Sequence, residues 1–125
     1  METLTKIAWA ILALVHFPPT LVLFVPSMIE RLYGIVPSHD VGAHDVGVLI
    51  VHRGALFGAI FIACLFAMMN PALRRAMACL VAISIISFLV TYAGAGMPAN
   101  LRRIALTDFF ALVPLIFVIR QAWWF

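Results

Sequence analysis

The chain has 125 residues, of which 66% are hydrophobic and only 10% charged, and its mean hydropathy is +1.15. A water-soluble domain carries about 25% charged residues, so this chain lacks the charge to cover a water-facing surface, and a soluble enzyme or binding module is excluded. The net charge of +3 does not point to nucleic acid. Four of the seven arginines come in two pairs at the ends of apolar runs (Arg74–Arg75 and Arg102–Arg103), where phospholipid headgroups lie, and no basic stripe with interleaved aromatics is present.

The first apolar run covers about residues 4–25. Lys6 gives it one positive charge, but no small-x-small cleavage site follows Val15; the chain runs instead into HFPPT, so the run reads as a retained transmembrane helix and not as a signal peptide. Pro18 and Pro19 should kink or open that helix, freeing carbonyls near residues 14 and 15 beside His16. The connection that follows, residues 27–45, reads SMIERLYGIVPSHDVGAHD. Ile29, Leu32 and Tyr33, with Ile35 and Val36, are spaced for a short interfacial helix ending at Gly34. A small duplication, HDVG-A-HDVG, comes next. Its His39, Asp40, His44 and Asp45 offer nitrogen and oxygen ligands, yet their spacing matches no strong metal signature. A solvated turn with Asp45 at the N-terminus of the next helix is the better reading, and no metal is expected.

The second run, residues 46–69, holds His52 and Arg53 and then Gly54-Ala-Leu-Phe-Gly58, a GxxxG with Gly47 on the same face. Such small residues let helix backbones approach where lipid supplies no hydrophobic drive. The third run, residues 76–97, carries an Ala78/Ala82 small pair, then Ser84 and Ser87 one turn apart. Their hydroxyls should bond back to preceding carbonyls or across the bundle. Thr91 and Tyr92 close that run, and the fourth, residues 104–125, contains Thr107, Asp108 and Pro114. Cys64 and Cys79 form no CxxC and read as inert core thiols.

Each run is near the roughly 20 residues that cross about 30 Å of hydrocarbon. The fold class expected is all-α: an integral-membrane antiparallel four-helix bundle, one domain over residues 1–125, with both termini on the same side. Trp9, Trp123 and Trp124 would then share one interfacial aromatic belt. Lys6, Arg74, Arg75 and Arg120 on that side, against Arg31, Arg102 and Arg103 on the other, place the termini in the cytoplasm.

An arginine at membrane depth costs several kcal/mol unless it finds a partner. With a rise of about 1.5 Å per residue, Arg53 lies roughly 10 Å deep and Asp108 roughly 6 Å deep from the same face. His52, Tyr92 and Thr107 fall in the same half of the membrane, with His16 beneath them. The expectation is that Arg53 pairs with Asp108, with His52 or Tyr92 within hydrogen-bonding reach. The bland account is two buried charges that neutralise each other and fix which helices are neighbours. The functional account is a polar pocket near one leaflet, made of His16, His52, Arg53, Tyr92, Thr107 and Asp108, that suits a quinone carbonyl, a sterol hydroxyl or a lipid headgroup. Haem between His16 and His52 is disfavoured, because their depths differ by roughly 6 Å and Arg53 crowds the ring. No Ser/His/Asp order, Gly-rich phosphate loop or paired-carboxylate motif stands out, so no catalytic residue is assigned.

At RLYGI (31–35), HRGALFGA (52–59) and NLRRIALTDFFALV (100–113) the chain resembles a group of small four-span bacterial membrane proteins similar to the DoxX-like family. The resemblance implies an inner-membrane location and, as for some members, a role as a small subunit of a quinone-linked oxidoreductase. Sequences of this group sometimes carry the label phosphopantetheine adenylyltransferase. That enzyme needs an H-x-G-H motif on an α/β fold, and the motif is not in this chain. The leading expectation is an accessory or ligand-binding membrane subunit in contact with lipid and with a protein partner or a second copy. A quinone- or haem-linked oxidoreductase subunit and a purely structural bundle in a larger complex are the alternatives.

Overall fold

The computed structural model describes residues 1–25, 28–33 and 43–124. The described residues fold into α1 (Glu2–Thr20), α2 (Met28–Tyr33), α3 (Ala43–Met69), α4 (Arg74–Gly94) and α5 (Arg102–Trp124). Short 3-10 turns follow α1 (Leu21–Leu23) and precede α4 (Pro71–Leu73) and α5 (Ala99–Leu101). Four of these segments, Glu2–Leu23, Gly47–Met69, Pro71–Gly94 and Ala99–Trp124, are long and apolar enough to cross a membrane. The expected runs are therefore present, with shifted ends. The first helix tightens into a 3-10 turn straight after Pro18 and Pro19. The helix of the second span starts at Ala43, which puts Asp45 in its N-terminal turn. The short helix expected in the first connection is Met28–Tyr33; Gly34, Ile35, Val36, His39 and Asp40 lie outside the described residues.

Local signals set the connections. Asn70 accepts a hydrogen bond from the Ala72 amide at 3.0 Å, and Pro71 occupies the first position of the turn that leads into α4. At the far end of α4, the amides of Ala95, Gly96 and Met97 donate back to Thr91, Ala93 and Tyr92. Gly96 takes φ 83° there, a left-handed conformation that closes helices at little cost only for glycine.

Packing places α1 between α3 and α5, while α4 lies against α5 and more sparsely against α3. Buried positions on α1 (Thr5, Ala8, Trp9, Leu12, Ala13, His16, Pro19) follow a three-four spacing, the seam of a helix in a bundle. They meet Cys64 and Ala67 of α3, Ala78, Val81 and Ile85 of α4, and Ala111, Leu115 and Val118 of α5. Many of these are alanines, which bring the backbones close. Trp9 is completely buried in this core, and its indole N–H has no partner among the described residues. It is not part of an interfacial belt, whereas Trp123 and Trp124 are exposed. A second cluster, Val22 and Tyr33 with Leu32, Ile50 and Ile104, seats α2 on the bundle.

One end of the bundle is stitched by two arginines. Arg74 pairs with both carboxylate oxygens of Glu2 at 2.6 and 3.0 Å and donates through Nε to the Ala67 carbonyl at 3.0 Å. Arg75 Nε donates to the Ala122 carbonyl at 2.8 Å. Each arginine thereby satisfies a carbonyl near the C-terminal end of a neighbouring helix, where acceptors are left over and the dipole favours a cation.

Candidate functional site

Arg53 projects from α3 and is half-buried. Its guanidinium carbon sits 5.0 Å from the ring centre of Phe57, 5.2 Å from Phe88 and 5.8 Å from Tyr33. Phe57 is four residues on along the same helix, Phe88 comes from α4 and Tyr33 from α2, so three elements frame one cation. Aromatic faces attract a guanidinium by about 2 kcal/mol or more once water is removed. This frame is how the fold accommodates an arginine in an apolar helix. Burial pushes the Tyr33 phenol above its ordinary range, and the nearby Arg53 charge opposes that shift.

The expected Arg53–Asp108 ion pair is not formed. Among the described residues the one ion pair is Arg74–Glu2. Arg53 and Asp108 instead line a common inner cavity of about 170 Å³, together with Pro18, Pro19, Tyr33 and Thr107. Asp108 is buried, and no hydrogen bond reaches its carboxylate among the described residues. The three rings win over the carboxylate because they surround the guanidinium on several sides, and α2 supplies one of them. Thr107 turns its hydroxyl back to the Arg103 carbonyl at 3.0 Å. His52 is exposed and lines neither cavity, so it does not join the site. Tyr92 stacks on Phe88 with ring centres 6.1 Å apart, supporting the frame from behind without approaching Asp108 by a hydrogen bond.

On its other side Arg53 lines a larger cleft of about 570 Å³ between α3 and α4. Leu56, Phe57, Ala59 and Ile60 form one wall; Leu80, Ile83, Ser84, Ser87, Phe88 and Thr91 form the other. Leu56 and Ile83 are exposed, so the cleft opens onto the outside of the bundle. It exists because α3 spends its small residues elsewhere. A Cβ added at Gly54 would lie 2.9 Å from the Pro19 carbonyl oxygen, and one at Gly58 would lie 3.1 Å from the Thr20 methyl. The GxxxG face thus packs on α1 within the same chain and draws α3 away from α4.

His16 closes the floor. Its Nδ1 bonds the Leu12 carbonyl at 2.8 Å and its Nε2 meets Ser84 Oγ at 3.2 Å. The imidazole therefore uses the carbonyl one turn back on its own helix and not those freed by the prolines. Ser84 reaches across the bundle to His16 and Ser87 bonds back to the Ser84 carbonyl at 3.2 Å, as the spacing of these serines implied. Cys64 is buried in the core and Cys79 is exposed; both are free thiols. Among the described residues no group of three or more metal-ligating side chains gathers, and the His39–Asp40 pair lies outside them.

Of the residues singled out in the sequence, the fold brings Arg53, Thr107 and Asp108 to one cavity, sets His16 beneath the adjoining cleft, and leaves His52 outside. Phe57, Phe88 and Ser84 are neighbours of Arg53 and His16 that the depth arithmetic passed over. The four-residue step from Arg53 to Phe57 was a readable signal; the contributions of Phe88 and Tyr33 depend on helices meeting. Comparison with family models, with curated proteins and with solved structures finds no match to this chain.

Proposed function

We propose that this protein is a small multi-pass membrane subunit that binds an amphipathic ligand from the lipid phase, a lipid, sterol or quinone, in the cleft between α3 and α4. One observation carries the reading: an arginine with no carboxylate partner among the described residues lines an apolar, outward-opening cleft of about 570 Å³, the size and character of ordinary small-molecule sites. In this reading the spans alternate in direction and both termini lie on the cytoplasmic side of a bacterial inner membrane. The short connections before α4 and α5, and the Arg74–Glu2 and Arg75–Ala122 contacts that gather both chain ends, support that topology. The likeness of its short motifs to DoxX-like proteins supports the bacterial setting.

A quinone-linked role is the second reading, favoured by the Ser84–His16 hydrogen bond that leads from the cleft into the core. Native mass spectrometry of the detergent-purified protein tests both. A retained small molecule at one equivalent, identified by its fragments, supports ligand binding, and a benzoquinone headgroup selects the redox role. A protein released bare, with only a partner subunit attached, would leave a structural bundle. Single cysteines at Thr3 and Ala99, placed in a cysteine-free background, should label from opposite sides of the membrane; labelling from one side would overturn the topology.

A further inference from the structure

The hydrogen bonds around the cleft decide which of its polar atoms are free. The Leu12 carbonyl can only accept, so His16 carries its proton on Nδ1. In the neutral ring Nε2 is then an acceptor, and the 3.2 Å contact is the Ser84 hydroxyl donating to it. The Ser87 hydroxyl is likewise committed, donating to the Ser84 carbonyl at 3.2 Å. Both serines line the cleft, so what they offer an occupant is oxygen lone pairs. Arg53 offers the opposite: a fixed positive charge whose N–H groups donate to no acceptor among the described residues. Phe88 stands beside the guanidinium, which puts Ser87 and Ser84 about 1.5 and 6 Å from it along α4. Beyond them the walls are purely aliphatic.

We infer that the cleft binds a single-chain amphiphile whose head carries an oxyanion beside a hydroxyl, the chemistry of a monoacyl glycerophosphate. The phosphate takes the Arg53 fork, since guanidinium and phosphate match in charge and geometry. The glycerol hydroxyl donates to Ser87 or Ser84. The acyl chain runs along Leu56, Ile60, Leu80 and Ile83 and leaves through the open side; from Phe88 to Leu80 this track is about 12 Å long. A cleft between one pair of helices takes one chain. Space fixes the side of Arg53 that the headgroup uses, because the inner cavity holds only about 170 Å³ against about 570 Å³ for the cleft. The inference rests on the cleft being the ligand site, and it adds the sign and hydrogen-bonding sense of the headgroup.

The test is native mass spectrometry of delipidated full-length protein with four probes: monooleoyl glycerophosphate, oleate, monooleoylglycerol and decylubiquinone. Monooleoyl glycerophosphate should be retained at one equivalent and most tightly. Arg53→Gln should weaken it about tenfold or more, the scale of a hydrogen bond to a charged group; Arg53→Lys, which keeps the charge but not the fork, should weaken it less, and the remote Arg102→Gln should retain binding. Ser87→Ala, which loses only a bond within its own helix, should weaken the glycerophosphate severalfold and leave oleate unchanged. Should Arg53→Gln not fold, the Ser87→Ala contrast and the probe ranking decide alone. Oleate or a neutral probe held at one equivalent in preference to monooleoyl glycerophosphate overturns the headgroup assignment and leaves the cleft standing as a site. No probe held at one equivalent, or all held alike and unaffected by either substitution, overturns both.

Discussion

Gly54 and Arg53 are adjacent in sequence and face opposite demands. Gly54 touches the Pro19 carbonyl of α1, an atom of the backbone that cannot step aside, whereas Gly58 meets only the Thr20 methyl. Exchanging glycine for alanine inside a helix gains about 1 kcal/mol in propensity, and overpacking costs about 1–3 kcal/mol. Gly54→Ala should therefore lower the thermal midpoint in detergent, while Gly58→Ala should leave it near or above wild type. Equal effects at both positions would contradict the close approach at Pro19. Arg53, one step away, is framed by three aromatic rings and pairs with no carboxylate among the described residues. Phe57→Leu removes the ring closest to the guanidinium and should destabilise by about 1 kcal/mol or more. Arg53→Met in the same background should recover part of that loss, and a double-mutant cycle on thermal or denaturant unfolding measures it.

Between elements, the His16–Ser84 hydrogen bond joins α1 to α4, two helices that otherwise touch mainly through the central core. Ser84→Ala leaves the His16 Nε2 lone pair buried without a donor. Interhelical hydrogen bonds in membranes contribute about 0.6 kcal/mol on average and up to about 1.7, so a loss of about 1 kcal/mol is expected. Adding His16→Leu should restore much of it, because the unsatisfied acceptor is then gone. A double mutant as unstable as the sum of the singles would show that the two residues do not interact. The prolines of α1 act on the same scale. They end the regular helix in a 3-10 turn and present a backbone carbonyl to Gly54, so the α1–α3 contact is built on the very residues that interrupt α1.

For the whole molecule, the stitched end is the most exposed feature that ties several helices together. Glu2→Gln should leave the melting temperature unchanged, since Glu2 is an exposed partner and surface ion pairs count for little. Arg74→Ala should lower it, because the Ala67 carbonyl at the end of α3 loses its donor, a bond of about 1 kcal/mol. The reverse order, with Glu2 the more important, would show that the ion pair and not the helix-end bond holds this corner.

Four apolar runs, their lengths and the positions of the charged residues were legible in the sequence because the bilayer imposes its thickness on any helix that crosses it. The same reasoning placed Arg53 and Asp108 at similar depths, and they do line one cavity. Depth is a coordinate along a helix; it says nothing of rotation about the helix axis or of which side chains arrive from neighbouring elements. Those were decided by tertiary packing. The α1–α3 contact at Gly54 opens the cleft towards α4, Tyr33 and Phe88 frame Arg53 without an ion pair to Asp108, and Trp9 turns into the core instead of the interface. His52 sits beside Arg53 in sequence, yet neighbours on a helix point about 100° apart, so one enters the site and the other faces outward.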